Sequence, residues 1–379
     1  MAAIAAACAG GGDLESRGGS VPSAAPAAAA VAGYRVLEPG AFIAGFPADP
    51  LDMRSESFIE RGWDLAVDVA ATDEVYVLDQ SAKRVLRLDR DAKLRAVIGG
   101  PGEGPGEFEH PYSIEADPRG GVWVADLRLA RLSRFDPDGR LLEEMQVPQL
   151  VRGFTVLPDG AVLYRTFDGR SASLAVQSGD EAVDLAGELP PELSPGDVRS
   201  NWAEYDLEFA VLAPDTIVIF CNTDVRAYGA WRAALDVASA RIADIAPVAF
   251  PGWLVQAIAA QAADIEREYR ETGPAQRDGI PSNAGSSVIP FSRGVRTTRG
   301  DLWVRPFSAS SRVFATTIPL SADDSVSVVT RGILDPHSGC AELDVAVLGD
   351  RIAWLCQDQL RIHELRAAPG PPPFAGGWR

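Results

Sequence analysis

Short apolar runs, four to six residues long and separated by Gly, Pro and Asp, follow one another through most of the chain. The clearest stretch is residues 110–148, HPYSIEADPRGGVWVADLRLARLSRFDPDGRLLEEMQVP. It predicts four strands, Ser113–Asp117, Val122–Asp126, Leu132–Asp136 and Leu141–Gln146, because runs of this length and composition suit extended chain. Between them stand Pro118-Arg119-Gly120-Gly121 and Pro137-Asp138-Gly139, residues that supply turn geometry. Four strands joined by tight turns make one antiparallel sheet. The same unit is predicted over 63–99, 152–186, 206–246 and 292–330. Its most regular feature is the second strand, whose apolar triplet appears as Val75-Tyr76-Val77, Val122-Trp123-Val124, Val162-Leu163-Tyr164, Ile217-Val218-Ile219, Leu302-Trp303-Val304 and Ile352-Ala353-Trp354.

The spacings between successive triplets are 47, 40, 55, 85 and 50 residues. A repeat of this period signals a propeller or solenoid. The expectation is therefore an all-β fold, a six-bladed β-propeller of four-stranded antiparallel blades with one helical insertion between blades 4 and 5. The last blade has only three strands of its own, Leu343–Leu348, Ile352–Cys356 and Leu360–Leu365, while an orphan strand segment, Tyr34–Leu37 with Ala41–Phe46, lies at the other end. The orphan is expected to complete the last blade and close the ring. The insertion covers 252–290. Within it, Leu254, Ile258, Ala262, Ile265 and Tyr269 recur at helical spacing and predict a helix over Trp253–Thr272, followed by a polar loop over 275–288. Three regions result: a tether over 1–33, the propeller over 34–366, and a tail over 367–379.

A resemblance supports this division. Val97-Ile98-Gly99-Gly100-Pro101-Gly102-Glu103-Gly104-Pro105-Gly106-Glu107-Phe108, then Pro111, Ile114, Asp117, Gly121-Val122-Trp123-Val124-Ala125-Asp126, Arg131, Arg134-Phe135-Asp136 and Gly139, resembles an NHL repeat. The likeness covers residues 97–142 well and 63–98 fairly, and from 150 onward only the strand pattern persists. The whole resembles the six-bladed propeller proteins that many bacteria export as lipoproteins. This resemblance implies a scaffold, not a ligand.

Composition narrows the partners. The chain has 35 Lys and Arg against 53 Asp and Glu, a formal charge of −18. Such a surface repels a phosphate backbone or an anionic bilayer, so nucleic acid and direct membrane binding are not expected. No run of 18 apolar residues exists to span a membrane. Residues 1–33 are mostly Ala, Gly, Ser and Pro, too poor in large apolar side chains to offset their ordering entropy. Ile4-Ala5-Ala6-Ala7-Cys8-Ala9-Gly10-Gly11 resembles the end of a bacterial lipoprotein signal, which would make Cys8 a lipidation site and membrane attachment a matter of that anchor alone. The plain alternative is an Ala-rich tether with an incidental Cys and a cytoplasmic adaptor. The other cysteines are Cys221, Cys340 and Cys356. Cys340 and Cys356 flank one hairpin and suit either a disulfide in an oxidising compartment or two buried thiols.

Candidate chemistry is sparse. The histidines are His110, His337 and His363, and a zinc site of the NHL-like lyase kind needs several imidazoles converging on the channel. His110, where a blade begins, is the one placed to face the channel mouth, and His363 is expected on an outer strand facing away. Calcium-dependent lactonases of propeller type need about six convergent oxygens. Asp79 and Asp126 instead occupy equivalent second-strand ends and read as structural, bonding backbone or a neighbouring Arg84 or Arg131. The Gly-rich stretch 99–106 has no Walker pattern and no G-x-G-x-x-G, so it reads as a crossing loop between blades. Trp202, Tyr205 and Trp253 fall in connections, where aromatics serve either as binding anchors or as pins that hold long loops to the disc. The reading is a monomeric extracytoplasmic binding or scaffold propeller for a protein, peptide or small molecule. No cofactor is expected, calcium and zinc being left open, and a metal-assisted lyase or lactonase in the channel is the alternative.

Overall fold

The structure is a computed structural model that describes residues 35–46, 58–60, 62–68, 74–148, 151, 153–167, 172–187, 189, 207–222, 228–248, 276–277, 280–281, 292–296, 302–305, 313–317, 327–330, 342–356 and 358–367. The described chain is all β. The first blade is β2 (Gly62–Asp68), β3 (Glu74–Asp79), β4 (Arg84–Leu88) and β5 (Leu94–Ile98). The second is β6 (Pro111–Ala116), β7 (Val122–Asp126), β8 (Arg131–Phe135) and β9 (Leu141–Gln146). The third is β10 (Phe154–Val156), β11 (Val162–Phe167), β12 (Ala172–Ser178) and β13 (Glu181–Asp184), and the fourth is β14 (Leu207–Ala213), β15 (Thr216–Asn222), β16 (Tyr228–Asp236) and β17 (Arg241–Pro247). Strands follow chain order within each blade, as tight turns dictate.

The fifth sheet corrects the expectation of six blades. It joins β20 (Ser292–Arg296), β21 (Leu302–Arg305), β22 (Val313–Thr317) and β23 (Ser327–Thr330) to β24 (Glu342–Leu348), β25 (Arg351–Cys356), β26 (Leu360–Ala367) and the N-terminal β1 (Arg35–Phe46). The described residues thus form a propeller of five blades, four of four strands and one of eight. The cause is β1, which is paired on both sides: parallel to β23 through Arg35–Leu37 and antiparallel to β26 from Leu37 to Phe46. The pairing joins strands that local spacing assigned to separate fifth and sixth blades. The expected helical insertion is also corrected: among the described residues there is no helix. The stretch 253–272 read as helical lies outside them, and 276–281, expected as loop, contains a two-stranded ribbon, β18 (Gln276–Arg277) with β19 (Ile280–Pro281).

The triplets owe their unbroken apolarity to packing on both faces. Side chains alternate along a strand. Val75 and Val77 pack on Ala346, Ala353 and Leu355 of the last sheet, while Tyr76 and Leu78 pack on Ile114, Val122 and Val124 of the second blade. Trp123 and Ala125 in turn meet Phe154, Val162 and Tyr164 of the third blade, and Leu163 meets Phe209, Ile217 and Ile219 of the fourth. Each Val, Leu, Ile or Phe side chain so buried contributes about 1.5–3 kcal/mol.

Candidate functional site

In an antiparallel blade the second strand ends, and the first and third begin, at the same end of the disc. Asp79 and Asp126 stand at that end, and both are buried, Asp79 at 0% exposure and Asp126 at 2%. Each closes its second strand opposite the first residue of the innermost strand, Asp79 against Gly62 and Asp126 against Pro111. A carboxylate so placed meets the backbone of the segment that leads into the blade. Asp126 Oδ2 accepts the N–H groups of Glu109 (2.7 Å) and His110 (3.0 Å). Its Oδ1 accepts those of Arg128 and Leu129, both at 2.9 Å, capping the turn before β8. Asp79 Oδ2 accepts the Glu60 N–H at 3.1 Å and meets Arg84 Nε at 3.4 Å. The reading of both as structural carboxylates agrees with these bonds.

Arg131 does something that the sequence did not signal. Its guanidinium reaches across to the loop between the first and second blades, donating to the carbonyls of Gly104 (2.7 Å) and Glu107 and lying 3.3 Å from Glu144. The loop, residues 99–110, is held from below by Phe108, which is fully buried edge-on against Phe135 with centroids 5.7 Å apart. Gly102 N–H to the Phe108 carbonyl (3.0 Å) and Phe108 N–H to the Gly100 carbonyl (2.7 Å) close the loop on itself. The stretch is therefore the crossing between blades that its composition suggested. What it leaves exposed, besides Gly99, is Pro101, Glu103, Pro105, Glu107 and His110. Beside His110, the Tyr112 ring is tilted at 6.4 Å between centroids, and Glu109 is paired with Arg128 at 2.9 Å.

His110 alone among the predicted binding residues is described, and it stands exposed at the start of the innermost β6. Trp202, Tyr205 and Trp253 lie outside the described residues, as do Cys8, Cys340 and His337. His363 is buried, stacked on Trp354 at 4.6 Å and met edge-on by Phe42 at 5.5 Å. It belongs to β26, which β1 covers. The sulfur of Cys356 is in a disulfide. Among the described residues no three His, Cys, Asp or Glu side chains gather as a metal site would require.

At the opposite end of the disc, Asp117 gathers cations. It accepts from Arg119 Nε (2.9 Å) and Nη2 (2.8 Å), from the Trp123 indole N–H (3.0 Å), and from Arg134 Nε. Burial pushes this carboxyl up, but the hydrogen bonds and charge of Arg119, with the charge of Arg134, outweigh it and hold it below the usual carboxylate range. These partners make it a structural node.

No family model matches the chain. A stretch of 73 residues, 18% of this chain, is 34% identical to human NHL repeat-containing protein 3 and covers 21% of that protein. The mouse protein of that name is 37% identical over 70 residues, 18% of this chain and 20% of its own. The chain thus spans about a fifth of the length of the curated relatives it matches. Solved structures similar to it include a gluconolactonase from Xanthomonas campestris, 11% identical with TM-score 0.47, covering 91% of this chain and 99% of that one. Virginiamycin B lyase from Staphylococcus aureus is 12% identical with TM-score 0.46, covering 81% and 96%. The calcium-binding regucalcin from Agrobacterium tumefaciens is 10% identical with TM-score 0.47, covering 89% and 98%. At this identity and these scores the likeness carries no argument about activity. The chain is a β-propeller with a local likeness to NHL repeat-containing proteins.

Proposed function

We propose that the protein is an extracytoplasmic binding or scaffold propeller whose partner docks on the end of the disc bearing the 99–110 loop. The observation that supports this reading is the rigidity of that loop. Asp126, Arg131 and Phe108 hold its backbone from beneath, while Glu103, Glu107 and His110 stay exposed. A loop ordered before binding loses little entropy when a partner arrives. Its two exposed glutamates and the formal charge of −18 favour a cationic or neutral protein, peptide or small molecule over an anionic one. Trp202, Tyr205 and Trp253 are proposed as further anchors on the connections, and the protein works as a monomer without a cofactor. The disulfide at Cys356 supports an oxidising compartment, and Cys8 is the proposed lipid attachment point. Intact mass of the protein isolated from its host tests the last claim, since an unlipidated Cys8 would remove it.

The docking end is tested with a photo-crosslinking side chain placed at Glu107, or at Asp138 in the β8–β9 turn on the opposite end. Adducts are expected in the host from position 107 and not from 138. Equal yields from both positions would refute the assignment. Elemental analysis of the dialysed protein is the second arm. Stoichiometric calcium or zinc would overturn the cofactor-free reading in favour of metal-assisted chemistry in the channel.

A further inference from the structure

The last sheet repeats the arrangement around Asp79 and Asp126 with a different residue in the key place. In the first blade Gly62 faces Asp79, and a bulge separates that pair from Asp64 facing Leu78. In the second blade Pro111 faces Asp126, and the same bulge precedes Ser113 facing Ala125. In the last sheet Glu342 faces Cys356, and again a bulge precedes Asp344 facing Leu355. Cys356 therefore occupies the position of the two clamping aspartates. Each of those aspartates accepts an N–H from the residue two before the one it faces: Glu60 for Asp79 and Glu109 for Asp126. Two residues before Glu342 stands Cys340. Cys356 is buried, at 1% exposure, and its sulfur is in a disulfide.

We propose that Cys340 is the partner of Cys356, and that this disulfide is a covalent clamp which fixes the segment leading into β24 as the carboxylates fix those leading into β2 and β6. Cys221 holds the corresponding position on β15, one residue before that strand ends, facing Leu207. Two residues before Leu207 stands Tyr205, so that blade has no thiol to offer its cysteine. The clamp sits where the ring closes: a Cβ on Gly62 would lie 3.0 Å from the Cys356 carbonyl oxygen and 2.7 Å from the Leu355 side chain. The chemistry changes when the clamp forms. An aspartate clamp is made by folding alone. The covalent one needs two thiols to form one S–S bond, giving two electrons and two protons to a disulfide oxidant that leaves as a dithiol; a dithiol reductant reverses the step. The segment leading into β24 is thus clamped only under oxidising conditions. The inference is independent of which end of the disc binds a partner.

Peptide mapping of the full chain under non-reducing conditions is expected to yield a Cys340–Cys356 cross-linked pair. Cys356 joined to Cys221 or to Cys8 would overturn the assignment. The clamp itself is read from the rate of tryptic cleavage after Arg331, with and without a dithiol reductant. In the wild type, reductant is expected to speed cleavage at least tenfold. In Cys340→Ser/Cys356→Ser the rate should be fast in both conditions. In Cys340→Ser/Cys356→Asp, which supplies the carboxylate used by the first two blades, cleavage should be slower than in the double serine variant and indifferent to reductant. A wild-type rate unchanged by reductant once both thiols have been freed would sink the clamp, and so would an aspartate variant cut as fast as the serine one.

Discussion

Asp117 illustrates how one buried carboxylate ties a turn, a strand and an indole together. Replacing it with Asn removes the charge that Arg119 and Arg134 share and one of the two oxygens accepting their N–H groups. Breaking a charged hydrogen-bond set of this kind costs about 2–3 kcal/mol, measurable by denaturant unfolding. The pH dependence has a definite sign. A carboxyl whose pKa is lower folded than unfolded stabilises the fold above the unfolded value, ~3.9, and loses that stabilisation as pH falls through the folded one. Stability of the wild type should therefore fall more steeply than that of Asp117→Asn below about pH 4. Gly121 next to this node makes a second residue-scale prediction. Its φ is +96°, and a Cβ there would lie 2.0 Å from the Phe135 carbonyl oxygen. Gly121→Ala should destabilise by at least ~2 kcal/mol, since backbone must move as well as strain. Ala130 is the converse, a non-glycine at φ 51° in the turn before β8. Ala130→Gly should raise stability by about 0.5–1 kcal/mol.

Among the elements, the 99–110 loop and β1 have the largest consequences. Asp126→Ala would strip acceptors from four backbone N–H groups, of Glu109, His110, Arg128 and Leu129. Amide hydrogen exchange at those four positions should quicken while the interior of β7 stays protected, and global stability should drop by roughly 3 kcal/mol. Asp126→Asn, which keeps one acceptor oxygen, should lose less. β1 is held on both sides, by β23 and β26, and Phe46 is buried with Leu360 and Leu355 in the core shared by the last sheet and the first blade. Deleting residues 34–46 should lower the melting temperature of the whole domain in one cooperative step. An unchanged melting curve would mean that ring closure does not depend on this strand.

At the scale of the molecule, repetition was legible where the physical cause is local. Turn residues and strand-length apolar runs recur with a fixed order inside a blade, so four strands of the second blade were predicted within two residues of where they lie. The triplets were legible because both faces of the second strand are buried. Blade number was not, since it turned on one N-terminal strand bonding to two C-terminal neighbours, nearly the whole chain away. The candidate site was half legible. Recurrence of Asp two residues after the third triplet position pointed to Asp79 and Asp126, and the same count reaches Cys356. The use of Arg131 was hidden, because its bonds run to the preceding crossing loop rather than to its own blade. By itself, then, the sequence determined an all-β propeller built from four-strand units, an acidic surface, and the strands and turns of the second blade; these follow from propensity and side-chain period, which act over a few residues. Only the tertiary structure decided five blades over six and the buried stacking of His363 on Trp354, because each depends on which strands meet across the closed ring.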